Sequence, residues 1–201
     1  MRVAVPVLVA LLAVTLFWWT RPQDDGPRHD VEEHVRTCRE NLQTIYDGLR
    51  AYADENGGAP TGSGPAFLGA LIASGTWPDD AAHRARLTCT GPNARPVDPG
   101  TDWTDASTWT ADSSAYAARD AERAPLAKFP SGGAELEALV ACDNADGMNH
   151  PGVVNVLYSD RTVKTFELEK LVAAGTLATG ASNLAIGPDA PLEELRVLTD
   201  G

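Results

Sequence analysis

Three cysteines, Cys38, Cys89 and Cys142, together with His150, are the side chains of this sequence best suited to metal or thiol chemistry. The cysteines are widely spaced and none belongs to a Cys-x-x-Cys pair, so spacing gives a structural zinc site through them and His150 little support. Cys38 falls on the apolar stripe of a predicted helix and reads as a buried small hydrophobe. Cys89 and Cys142 lie at the ends of predicted strands beside turn residues, and in an oxidising compartment they are expected to pair. That bridge would close 52 intervening residues and contribute roughly 4 kcal/mol by loop entropy. Asp143, Asn144 and Asp146 offer hard oxygen ligands for calcium, the one cofactor candidate, but they lack the alternating spacing and distal Glu of a complete calcium loop. An ordinary Asx-rich turn is the simpler reading.

His150 precedes a strand and Asp160 follows it. Their expected work is structural: the Asp accepts backbone hydrogens in a hairpin turn, and the His packs at the sheet end. His29, His34 and His83 lie in polar surroundings and read as solvated. There is no Gly-x-Ser-x-Gly, His-Glu-x-x-His or phosphate loop, and a triad from His150 and Asp160 would need an activated Ser that nothing singles out. The expectation is a protein that is not an enzyme.

The elements that must position these residues follow from periodicity. Asp30 with Glu33 has capping-box spacing and predicts a helix whose stripe is Val35, Cys38, Leu42, Ile45, Leu49 and Tyr52, stopped by Asn56-Gly57-Gly58. A shorter helix is expected over 65–74, with Pro65 in its first turn and Gly75 as terminator. Residues 91–114 read as a long loop whose Trp103 and Trp109 fold back over the sheet. Strands are expected at the end of 136–142, over 153–158 and over 162–166, the last two forming a hairpin. Short helices are expected over 168–174 and 191–198. The fold class is α+β: a long helix packed on a small antiparallel sheet.

With 201 residues, 43% hydrophobic and 22% charged, the chain can bury one core of ordinary size. Its formal net charge is −12 and all its acidic residues follow Gln23, a field that repels nucleic acid. Residues 3–19 carry no charge and are long enough for a short membrane helix. The run ends in Trp18-Trp19, bulky where signal peptidase needs small side chains and suited to an interfacial belt. An uncleaved single-pass anchor over 1–20 is therefore expected, then a Pro- and Gly-containing linker over 21–29, then an extracytoplasmic head over 30–201 that folds alone.

Three segments carry a resemblance. Cys38-Arg39-Glu40-Asn41-Leu42 running to Tyr52-Ala53 and Asn56-Gly57-Gly58-Ala59-Pro60, then Leu87-Thr88-Cys89, then His150 followed after nine residues by Asp160, resemble in order the head of bacterial prepilin-like and type II secretion pseudopilin-like proteins. The likeness covers roughly residues 36–170. It implies a membrane helix in the inner membrane, a head outside the cytoplasm and partners that are proteins of the cell envelope; major pseudopilins also hold calcium in a loop of the head. Two features depart from the pattern. The family's peptidase motif, Gly before Phe-Thr-Leu-Ile-Glu, is missing, which implies a chain that is neither cut nor polymerised, and Arg161 stands where the family has Gly. A calcium- or small-ligand-binding module on the same anchor is the alternative.

Overall fold

The computed structural model describes residues 26–126, 128–130, 136–142 and 148–201, with side chains from residue 31 onward. The chain divides into two units, Met1–Asp30 and Val31–Gly201, and the sheet with its packed helices belongs to the second. The expected anchor over 1–20 and the first part of the linker lie outside the described residues, as do Asp143, Asn144 and Asp146. Among the described residues no helix is long and apolar enough to cross a membrane.

Helix α1 spans Gly26–Asn56, starting earlier than the Asp30 that the capping pattern marks. Pro27 falls in its first turn, where a missing N–H leaves no bond unmade, so part of the expected linker is helical instead. The helix ends at Gly57, whose φ of 78° and N–H to the Ala53 carbonyl terminate it. Cys38, Leu42, Ile45, Leu49 and Ala53 recur at helical spacing and are buried. Helix α2 (Pro65–Ala73) and helix α3 (Ala81–Arg86) come next. The second of these was not legible from periodicity, because it buries no side chain; its only local signal is the cap, Asp80 accepting from the His83 N–H at 2.9 Å.

Among the described residues, five antiparallel strands form one sheet: β1 (Ala117–Arg119), β2 (Ala138–Ala141), β3 (Val153–Tyr158), β4 (Val163–Glu167) and β5 (Leu198–Thr199), in the order β4-β3-β2-β1-β5. Helix α4 (Leu168–Ala173) comes directly after β4. The C-terminal helix expected over 191–198 is instead a short 3₁₀ turn at Glu193–Leu195 leading into β5, which pairs with β1. Strand β1 was also missed. Its alanines have little strand preference, yet all three of its residues are buried in the sheet interior, where packing overrides propensity.

Pairing fixes which side chains share a face. Val140 lies opposite Leu157, and Asn155 opposite Thr165. Asn155 donates through Nδ2 to the Val35 carbonyl of α1 at 3.1 Å, and Arg39 of α1 donates to Thr165 Oγ1 at 3.3 Å. Period-two alternation therefore turns Val140, Asn155, Leu157 and Thr165 toward α1. It turns Val154, Val156 and Tyr158 the other way, where the Tyr158 hydroxyl reaches Glu194 at 3.3 Å.

Two tryptophans pack on helix glycines. Trp77 covers Gly48 of α1, and Trp109 covers Gly69 of α2; a β-carbon at those glycines would sit 2.6 and 2.7 Å from the rings. Trp109 is pinned by its indole N–H to the Asp102 carbonyl at 2.9 Å and stacks edge-on against Trp103 at 5.1 Å. Trp109 thus folds back onto α2, and Trp103 lies between it and Arg84 of α3, whose guanidinium sits 5.3 Å over the Trp103 ring.

The β3–β4 hairpin turn holds Arg161 at φ 75°, a conformation disfavoured for any residue with a β-carbon. Its guanidinium forms a two-pronged ion pair with Asp47 of α1, both contacts at 2.8 Å, so the side chain that strains the turn also docks it.

Substitutions at the glycines and at the turn test this packing. In an open helix, Gly→Ala adds about 1 kcal/mol of stability. Here Gly48→Ala and Gly69→Ala are each expected to lower it by roughly 1–2 kcal/mol in urea unfolding, because overpacking against a fixed ring outweighs propensity; a gain in either would contradict the ring packing. Arg161→Gly relieves the turn and removes the ion pair. Since salt screens the pair but not the backbone strain, the Gly variant should gain on the parent as ionic strength rises, and a salt-independent difference would show that the pair contributes nothing.

Candidate metal centre

Cys142 immediately follows β2, and its N–H donates to the Asn155 carbonyl at 2.9 Å. It therefore continues the ladder opposite Asn155 and shares the face that looks at α1. Cys38 heads the buried stripe of α1 and looks back at the sheet. His150 opens a tight turn before β3: Pro151 and Gly152 occupy its centre, Gly152 has φ 72°, and the Val153 N–H returns to the His150 carbonyl at 3.2 Å, as a Pro-Gly turn of type II requires.

Cys89 arrives on the segment after α3. That segment is tied on both sides: Ser114 Oγ donates to the Leu87 carbonyl at 2.6 Å, and the Asn93 N–H donates to the Asn149 carbonyl at 3.1 Å. Gly91 passes so close to Asn149 that a β-carbon there would lie 2.3 Å from its carbonyl oxygen.

These four segments bring Cys38, Cys89, Cys142 and His150 together, with one ligand-capable atom of each within 4.8 Å of the others. Cys38, Cys142 and His150 are fully buried and Cys89 is 5% exposed. Cys89 Sγ and His150 Nε2 lie 3.1 Å apart. Two backbone amides aim at sulfur: Asn155 N–H to Cys142 Sγ at 3.0 Å, and Gly91 N–H to Cys89 Sγ at 3.3 Å. All three cysteines are free thiols, so the expected Cys89–Cys142 bridge is not formed. Cys38, expected to stand apart, shares their site. Spacing along the chain gave no sign that all four residues meet, because side chains drawn from a helix, a crossing loop, a strand end and a turn leave no local motif.

The thiols do not behave alike. Hydrogen bonds from Cys142 and Cys89 hold the Cys38 thiol well below the ordinary range. Burial, then the bonds to Cys38 and Cys89, push Cys142 well above it. For Cys89 the bond to Cys142 pulls downward, but the bond to Cys38 and burial together push the thiol up. Tyr116, fully buried, is raised by burial and by the nearby cysteines.

Two asparagines that motif reading passed over support the cluster. Asn149 Nδ2 donates to the carbonyls of Ala115 and Cys142, both at 2.7 Å. Asn155 Oδ1 accepts from Thr165 Oγ1 at 2.8 Å while Nδ2 holds α1. A lone polar residue in a β-rich run, as in Val153-Val154-Asn155-Val156, was the available signal. Asp160 is remote from the cluster: Oδ1 accepts from the Thr162 N–H at 2.9 Å and from its hydroxyl at 2.6 Å in the hairpin turn. Burial alone would raise this carboxyl, but the Thr162 bonds hold it below the usual range. His83 bonds Asp80 at 2.9 Å and stacks near Trp77, so it is engaged rather than simply solvated.

Gly91→Ala is expected to cost about 1–3 kcal/mol, measured by denaturant unfolding, because the clash is with the backbone of the segment that Gly91 crosses; an unchanged midpoint would mean that the Cys89 loop does not cross Asn149 this closely. No known protein family, no curated protein and no solved structure matches this chain.

Proposed function

We propose that this chain is a non-enzymatic, membrane-tethered, pseudopilin-like protein of the bacterial cell envelope, with its head outside the cytoplasm, acting through protein contacts linked to type II secretion or pilus-like machinery. One observation carries this reading. The segments on which the resemblance rests, around Cys38, Cys89 and His150, are far apart in sequence and meet at one buried point. Residues conscripted into the interior hold a head together and present no reacting atom to a substrate, which leaves the surface to do the work. The α+β head, with a long helix laid along an antiparallel sheet, is the architecture the resemblance implies. A strongly acidic body suits basic protein surfaces over nucleic acid.

Fractionation of the native host followed by crosslinking in intact membranes tests it. The full-length chain is expected in the inner-membrane fraction, crosslinked to one dominant envelope protein. Recovery as a freely soluble species with no crosslinked partner would overturn the reading.

A further inference from the structure

We propose that Cys38, Cys89, Cys142 and His150 bind a single zinc ion that fastens α1, the loop after α3 and the sheet to one another. Three sulfurs and one imidazole nitrogen are the ligand set of a closed structural zinc site. With zinc–sulfur bonds of about 2.3 Å and a zinc–nitrogen bond of about 2.0–2.1 Å, the edges of the tetrahedron are roughly 3.6–3.8 Å. The four ligand atoms already lie within 4.8 Å of one another. Binding would require the Cys89–His150 pair, at 3.1 Å, to open by about half an ångström and the longer separations to contract.

Burial decides between a structural and a catalytic ion. With no ligand more than 5% exposed, there is no open position for water or substrate, and a four-coordinate site is complete within the chain.

Charge and hydrogen bonding favour the ion over the alternatives. A disulfide would consume two sulfurs and strand the third beside the imidazole. Three thiols would bind one another and the imidazole only through weak S–H bonds. Zinc uses all four groups: each zinc–sulfur bond replaces an S–H bond whose proton leaves to solvent, Nε2 donates its lone pair, and Nδ1 keeps the imidazole proton. Three thiolates, one neutral imidazole and Zn²⁺ sum to one negative charge, and the amides of Gly91 and Asn155 already point at two of the sulfurs, as outer-shell donors do around metal-bound thiolates.

The test uses the full chain, purified without added metal, with zinc counted by elemental mass spectrometry. One zinc per chain is expected, and its removal by a strong chelator should lower the melting midpoint by roughly 10 °C or more, because binding free energy to the folded state is folding free energy. Cobalt added in place of zinc should give thiolate-to-cobalt charge-transfer bands and the intense visible bands of a tetrahedral site. Cys89→Ala and Cys142→Ala should lose the metal. Since either could also unfold the chain, His150→Cys supplies the decisive variant: it should keep one metal per chain and shift the cobalt visible bands to lower energy, as a fourth thiolate replaces imidazole. Zinc well below one per chain with no tetrahedral cobalt spectrum, a Cys–Cys linked peptide in non-reducing mapping, or a His150→Cys spectrum identical to the parent would each overturn the site. None of these results bears on the membrane and partner reading, which fractionation and crosslinking decide separately.

Discussion

The structure depends on the burial of three sulfurs and an imidazole at a single point between α1 and the sheet. Each side chain comes from a different local structure, so placing all four fixes the helix register, the end of β2, the path of the loop after α3 and the turn before β3 at once. The apolar stripe alone would tolerate a slide of α1 along the sheet by one turn, since Leu42, Ile45 and Leu49 are interchangeable in kind. Cys38 is not: moved by a turn, it would leave the other two sulfurs and the imidazole that it meets.

Around that point, polar groups are wired to backbone from several directions. Asn149 joins the segment before β1 to the end of β2, and Asn155 joins β3, β4 and α1. Buried amides of this sort add little net stability when satisfied but cost heavily when a partner moves away. Their effect is to make one arrangement of the layers far better than its neighbours. The glycines at 48, 69 and 91 act in the same direction through space: each marks a place where a ring or a backbone comes closer than a β-carbon allows.

This enclosure bears on function. The three sulfurs and the imidazole are inside, while α1 carries Glu32 and Arg36 exposed on its surface. Under the proposed reading, such a head acts through the surfaces it presents to partners. The proposed zinc ion would reinforce that head by closing long loops of chain with one centre.

The sequence by itself determined the elements whose signal is periodic or local: the stripe of α1, the Pro-started and Gly-stopped α2, the β3–β4 hairpin and the Asx turn at Asp160. It also determined the α+β class, because a long amphipathic helix beside alternating strands has few ways to bury both faces. Other features were illegible. Strand β1 is two alanines and an arginine, β5 is two residues long and completed only by its neighbour, α3 buries nothing, and the start of α1 passes through a proline that a first turn accepts. The cluster was the largest of these gaps. Metal and disulfide motifs are read from spacing along the chain, whereas Cys38, Cys89, Cys142 and His150 are separated by whole elements and become neighbours only when helix, loop, strand end and turn are stacked. Tertiary structure decided their company, because distance through the fold, unlike distance along the chain, is set by packing.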